Sequence, residues 1–561
     1  MIERTLSWIT LLATGIILFP CLSSVFAKIV LVSPPEEAPI LWHSQPRSLT
    51  ALAESYIQHG LALKKSGRLK EASHEFLLAV LMAEGIRNGF RYKDMEFFSG
   101  EYFPLFEAYT NLISCLSERA IRGERHDEFF RHYGRTLSEA ALYFSEAIKA
   151  RYLLSSLFNY PLPLKAQDLL LGKDETLLEY AITENATYIF VVNSKGVRIL
   201  KADIKESELK DIISQLEKWI DSFKAGGLFE VTAKRAYDLL LSEALKDIPS
   251  DQYIIVVPDS FLGLFPFEAL VMEYQKGMKE PLFVGDRWTL SYSPSASLLT
   301  LLRVKKFIKP SHPLFALGYP IFKTDDSGYK GEGNPQSKKT HDNDKDKECR
   351  NAYLFLSRLP WTKKEVLGIA GIMGITPRPP HVLLGANASE TNLKKVDLAR
   401  YRYIHFATHG GTEFCNKKEP LLFLGLKGNK QGDDGLLTFE EIMNMKLNAD
   451  LVTLSAGSTG NGKIARGEGV LSLGYAFLFA GAKSVVVAHN CPDSQLAAEF
   501  MISFYDYLKK GNAKAKAIKM ARKKMKEKFK TPFYWASFVL WGDNGNPTTL
   551  KPLMLLNVKT R

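Results

Sequence analysis

Two stretches, His405-Phe406-Ala407-Thr408-His409-Gly410 and Asp450-Leu451-Val452-Thr453-Leu454-Ser455-Ala456-Gly457-Ser458-Thr459-Gly460, each carry an apolar run of strand length straight into small residues. Runs of the same kind recur at Tyr188–Val192, Tyr253–Val257, Leu314–Leu317, Tyr403–Ala407, Leu451–Leu454 and Ser484–Ala488, with helical patterns between them. That alternation, from about Leu164 onward, predicts a largely parallel sheet covered by helices. In such sheets ligands bind beyond the carboxyl ends of the strands. A histidine and a nucleophile at neighbouring strand ends would therefore meet in one cleft. A Cys–His pair works there because imidazole takes the thiol proton and the thiolate attacks a carbonyl. Glycine beside each partner leaves backbone N–H groups bare to hold the oxyanion.

Working outward, Tyr253–Pro266, Leu359–Val366, His405–Gly410, Gly435–Ile442, Leu451–Gly460, Ala465–Gly481 and Pro532–Asp543 follow one another in an order that resembles the CHAT domain. The resemblance runs from about residue 165 to 545. It implies a caspase-like cysteine-peptidase fold, of peptidase clan CD, commonly joined to tetratricopeptide repeats. It places the catalytic histidine on His409, the oxyanion N–H on Gly410 and the catalytic cysteine on position 457, which here is Gly457. Glycine carries no nucleophile. The resemblance also asks for a Trp-x-Val-x-Asp-like segment where this chain has His489-Asn490-Cys491-Pro492-Asp493. These two departures point to a degenerate site, with its cleft and histidine orientation decayed, in a non-catalytic scaffold or peptide-binding pseudoprotease. The alternatives are an active enzyme that pairs His409 with Cys491 or Cys415, and an inactivated form of a working peptidase. Ser455 and Ser458 flank the vacant position, but serine needs stronger activation than cysteine. Asp433 and Asp434 are candidates for holding a basic peptide side chain, against a reading as solvated loop acids. His405, inside its strand, reads as a buried structural histidine.

Gly457–Ile464 also approaches the phosphate-loop pattern G-x-x-x-x-G-K-[ST]. Ile464 stands where a magnesium-binding hydroxyl is needed, so nucleotide hydrolysis is a minor reading. No cofactor or metal is expected, and the cysteine spacing matches no zinc pattern.

Ahead of the α/β region, residues 48–157 are helical in pattern. Tyr56, Gly60, Leu63, Ala72, Phe76 and Ala79 sit where a tetratricopeptide helix pair places its interlocking contacts, with Ser66-Gly67-Arg68 as the turn. A weaker second unit runs from Ala108 to Ala150, with Ala140, Phe144 and Ala147. Residues 28–47 form a Pro-rich connector, and 546–561 a tail. Met1 to Ala27 reads as a secretory signal, with the apolar stretch Leu6–Phe19, a break at Pro20 and Val25-Phe26-Ala27 before Lys28. A retained anchor is the alternative. The expected location is therefore periplasmic or extracellular, where Cys115, Cys349, Cys415 and Cys491 could form disulfides. Lys323 to Arg350 is polar and aperiodic, and reads as an exposed flexible loop.

The composition agrees with a multidomain globular protein. The chain has 561 residues, 46% hydrophobic and 24% charged, with 39 Gly, 26 Pro and 5 Cys. Those values exclude a collagen, a low-complexity chain and a disulfide-built miniprotein. The formal charge of +12 is concentrated in Lys509–Lys530, where ten lysines and Arg522 face only Glu527. Ile518, Ala521, Met525 and Phe529 share one face of that stretch, as in an amphipathic helix. Its Lys face reads as solvated, with an anionic membrane surface or an acidic partner as the alternative. Nucleic acid is disfavoured because no aromatic residues interleave the basic face. A protein or peptide partner is expected at the helical repeats and at the caspase-like cleft.

Overall fold

The computed structural model describes residues 46–89, 103–158, 162–221, 227–274, 280–305, 308–322, 356–412, 419–465, 467–490 and 493–546. The signal segment, most of the connector, the 323–350 loop, Cys349, Cys415, Cys491 and nearly all of the tail lie outside the described residues. Two compact units divide at Ala141/Leu142.

In the first unit, helices α1 (Pro46–Lys65) and α2 (Leu69–Gly89) are joined by the expected tight turn, closed by Gly67 N–H to Lys64 O and Arg68 N–H to Leu63 O. The Phe76 ring lies so close to Gly60 that a Cβ there would stand 2.7 Å from Phe76 Cε1. This small-against-large contact is what the repeat pattern implied, and Ala53, Ile57, Ala72 and Ala79 are buried beside it. Helix α3 (Phe103–Ile121) carries Arg119, whose side chain is 1% exposed. Its guanidinium donates to Ser73 Oγ at 2.9 Å, Asp127 Oδ2 at 2.7 Å and Glu124 Oε2 at 3.0 Å. Cys115 is a buried free thiol, pushed up to about 11 chiefly by burial.

Helix α4 (Leu137–Ala147) crosses the division between the units, and its second half together with helix α5 (Arg151–Phe158) belongs to the second unit. The sequence placed Leu142–Leu157 with the repeats, but polar anchors commit it to the α/β unit. Lys149 Nζ donates to Ser145 Oγ, Glu179 Oε1 and Tyr180 O at 2.7–2.9 Å. Glu146 accepts from Ala296 N–H and Ser297 N–H, capping helix α6 (Ala296–Val304).

An eleven-stranded sheet forms the core of the second unit. Strands β1 (Glu175–Ile182), β2 (Thr187–Asn193) and β3 (Gly196–Ala202) make an antiparallel meander at one edge. β1 then runs parallel with β4 (Tyr253–Val257), β7 (Thr289–Tyr292) and β18 (Phe538–Gly542). The short pair β5 (Val271–Glu273) and β6 (Leu282–Phe283) lies outside this sheet. A second parallel block contains β17 (Ser484–Ala488), β14 (Leu451–Ser455), β10 (Tyr401–Ala407), β8 (His312–Pro320) and β9 (Val382–Gly385). β17 and β18 are antiparallel, so the two blocks run in opposite senses. All six predicted runs are strands, and those in the middle of the sheet are wholly buried because helices cover both faces.

The Lys-rich run ends one helix, Ser494–Lys509, and forms the next, Lys514–Lys528. Its apolar face is buried as expected. Its basic face is largely solvated, with Lys516, Lys523, Lys524, Lys528 and Lys530 exposed, and it also carries ion pairs to acids on other elements. Lys514 pairs with Asp450 at 2.9 Å, Lys519 with Asp251 at 2.9 Å, Arg522 with Glu268 at 3.0 Å and Lys528 with Glu499 at 2.7 Å. Lys526 meets Asp286 and Lys530 meets Glu280. Most of the charge is thus compensated inside the unit. Among the described residues no helix is long and apolar enough to cross a membrane.

Candidate functional site

The site forms where β10 and β14 end side by side. Their register pairs Ala407 with Ser455, so His409 and Gly457 each lie two residues past that pair. Thr408 N–H donates to Ser455 O at 3.3 Å. The chain then enters a three-stranded sheet of β11 (Gly410–Gly411), β12 (Leu421–Phe423) and β13 (Leu436–Thr438). A Cβ on Gly410 would lie 2.8 Å from the Gly457 carbonyl oxygen and 3.1 Å from Thr459 Cγ2. The two glycines are therefore packed backbone against backbone.

The His409 ring is half-buried and held on two sides. Its Nε2 lies 2.8 Å from Ser357 O, and the Phe322 ring stands 5.2 Å away between centroids. A carbonyl only accepts, so Nε2 carries the proton and Nδ1 keeps the lone pair of a neutral base. Burial lowers the imidazole below its ordinary value, against the opposing pull of the Ser357 carbonyl. Ser357 and Phe322 escaped the sequence reading because one acts through its backbone carbonyl and the other through an unremarkable aromatic side chain.

The turn after β14 is lashed to the end of β17. Gly460 N–H donates to Ala488 O at 2.8 Å, while Thr459 Oγ1 accepts from Ala488 N–H at 2.9 Å and donates to Ala456 O at 3.2 Å. Ser458 takes the left-handed region at φ 55°. Ser455 stays in the strand with its hydroxyl buried and, among the described residues, without a hydrogen-bond partner. His489 is 7% exposed, its Nδ1 3.4 Å from Asn461 Oδ1, and burial pulls it down to about 4. After the turn, the chain forms the hairpin of β15 (Lys463–Ala465) and β16 (Gly469–Leu471). A phosphate loop requires a helix there, so the structure removes the nucleotide reading.

His405 is fully buried, with Nε2 2.9 Å from Glu365 Oε1 and the Tyr505 ring edge-on at 5.4 Å. It is the structural histidine that its place inside the strand suggested. Asp433 and Asp434 precede β13, the strand of the small sheet farthest from Gly410. Asp433 accepts from Thr391 Oγ1 and from Lys394 Nζ at 2.9 Å, and Asp434 Oδ1 accepts from Leu436 N–H at 2.9 Å. Asp433 is thus paired with Lys394, and Asp434, which is exposed, closes a local turn. Cys415 and Cys491 lie outside the described residues. Among the described residues no group of three or more His, Cys, Asp or Glu could hold a metal ion. A cleft of about 570 Å³, including its open mouth, lies beyond the ends of β4 and β7 and is lined by Asp259, Glu468 and Trp541. Because the two strand blocks oppose each other, those ends face the edge of the sheet opposite His409.

The family model of the CHAT domain matches residues 230–543. Tetratricopeptide repeat protein 28 of Mus musculus is 32% identical over 111 residues, which are 19% of this chain and 4% of that protein. The chain thus spans a small fraction of that relative's length. Among solved structures, the Saccharomyces cerevisiae separase–securin complex aligns at 11% identity over 93% of this chain and 40% of that chain, with a TM-score of 0.43. The Arg-specific cysteine proteinase gingipain R aligns at 9% identity over 61% of this chain and 75% of that chain, with a TM-score of 0.31. With more than half of its length matched by the family model, the chain belongs to the CHAT domain family.

Proposed function

We propose that this chain is an exported, non-catalytic CHAT-domain protein that binds protein or peptide partners through the cleft beside His409 and through its helical repeats. The observation that carries the reading is Gly457, whose carbonyl packs against Gly410 where the resemblance asks for a thiol. Covalent acyl transfer needs a nucleophile, and Gly457 offers the His409 imidazole no proton to take. What remains is a held imidazole beside two adjoining strand ends, an arrangement that can bind without cleaving. The tetratricopeptide pattern of helices α1 and α2, with Phe76 packed on Gly60, supports a protein partner for the helical unit. Export is supported by the apolar Leu6–Phe19 stretch and the small-residue site at Ala27, and N-terminal sequencing of the natural protein should start at Lys28.

The test is incubation of the intact chain with a mixed peptide library, read for both retention and cleavage. Retained, uncut peptides that are released by variants at Gly410 are the expected result. Turnover that is lost in His409→Ala, and also in Cys491→Ser or Cys415→Ser, would establish an active enzyme instead.

A further inference from the structure

One short stretch of chain, Ser357–Glu365, holds both histidines of the His405–Gly410 run. It opens with Ser357, whose carbonyl accepts from His409 Nε2 at 2.8 Å, and it runs into helix α7 (Pro360–Met373). Thr362 and Glu365, on the first turns of that helix, are buried. Thr362 Oγ1 donates to Leu359 O at 2.7 Å and accepts from Tyr319 N–H at 2.9 Å, which ties the helix start to the end of β8. Glu365 Oε1 lies 2.9 Å from His405 Nε2, which ties the same helix to β10. The packing between these elements is tight: a Cβ on Gly318 would stand 2.7 Å from Val366 Cγ2 and 3.1 Å from Thr362 O. Ser357 lies just ahead of Leu359, the cap residue of the helix. The seat of the helix therefore decides where the carbonyl that holds His409 points.

Stability is a poor reason for the Glu365–His405 pair. Both side chains are fully buried, and among the described residues Glu365 Oε2 and His405 Nδ1 have no hydrogen-bond partner. A buried polar atom left unpaired costs stability, and apolar side chains of like volume often replace buried pairs without loss. What such a pair supplies is a single geometry, since its hydrogen bond forms only when the helix stands at one height against the strand.

We propose that Glu365 and His405 are positioning residues for His409: their hydrogen bond pins helix α7 against β10 and, through Ser357, locks the His409 imidazole with its proton on Nε2. The proposal stands apart from the binding reading above, because it concerns how the ring is held and not what the ring meets.

The experiment labels the histidines of the intact chain with nitrogen-15 and follows the His409 ring by NMR at neutral pH, its signals assigned by their loss in His409→Ala. In the parent chain His409 should show the Nε2–H tautomer alone, with a ring proton slowed in its exchange with water by the Ser357 carbonyl. Glu365→Leu/His405→Phe places an apolar pair beside the Tyr505 ring and should fold with an undiminished urea midpoint. In that variant the His409 ring proton should exchange at least about tenfold faster, and the second tautomer should appear. Glu365→Gln, which keeps an oxygen for His405 Nε2, should retain the parent's tautomer and exchange rate. A His409 proton that exchanges at the parent's rate in the folded apolar variant overturns the proposal. So does an apolar variant that fails to fold or loses urea resistance, because the pair would then be a stabiliser of the core. Loss of the lock in Glu365→Gln as complete as in the apolar variant overturns the hydrogen bond as the pin. None of these readouts uses a peptide, so failure of the binding reading leaves them standing.

Discussion

Acid should loosen the turn that carries Gly457, and His489 sets the size of the effect. Its imidazole is buried behind the turn, and a Cβ on Gly460 would come within 3.3 Å of its Nδ1. Burial holds it neutral down to about pH 4, against an ordinary value of 6.5. The unfolded chain therefore binds a proton that the folded chain refuses between those two values. Stability rises with pH wherever the unfolded state binds more protons, so this contribution is fully present above pH 6.5 and is lost progressively toward pH 4. At about 1.4 kcal/mol per pH unit, the interval is worth about 3 kcal/mol. Urea unfolding of the parent chain and of His489→Gln, followed from pH 7 to pH 4, isolates the term as a difference. The parent should lose about 3 kcal/mol more than the variant. Amide exchange at Gly460 and Asn461 should quicken in the parent over the same range. Parallel pH profiles for the two proteins would refute the reasoning, because they would mean that His489 is solvated or already charged in the fold.

Three further outcomes follow from named contacts. Gly410→Ala should cost about 1–3 kcal/mol, since its new Cβ must displace the Gly457 carbonyl 2.8 Å away, and faster amide exchange at Ser458–Gly460 would locate the damage. Arg119→Met should destabilise the helical unit by about 3–5 kcal/mol, because it strips the buried Asp127 carboxylate of its cation, and the effect is read as an earlier helical transition in denaturant. A single cut at a protease site inserted in 323–350 should leave the two halves associated without denaturant, since β8 from one side pairs with both β9 and β10 from the other.

The sequence made the parallel strands legible where burial is on both faces. Tyr253–Val257 and Ser484–Ala488 read as strands to the residue, because each is a short apolar run, too short for a helix and rich in β-branched Val and Ile. β1 was hidden by Glu175 and Glu179, which look like helix-surface residues. Arg303 and Lys149, distant in sequence, neutralise them inside the core. The opposed sense of the two strand blocks was equally hidden, because the β17–β18 pairing that creates it leaves no local trace. The ion pairs of the basic helix were hidden for a related reason: its acids lie on other elements, at Asp251, Glu268 and Asp286. At the site, His409 and Gly457 were legible through motif order, whereas the Ser357 carbonyl that fixes the imidazole has no signature in a sequence.

The most direct test of the central claim, that position 457 is the vacated nucleophile of a frame still held in place, is thiol titration of Gly457→Cys, taken as the difference from the parent chain and repeated in Gly457→Cys/His409→Ala. The account predicts one additional thiol that ionises below the usual cysteine value of about 8.5 and returns to that value when His409 is removed. A new thiol with an ordinary value, indifferent to His409, would contradict it.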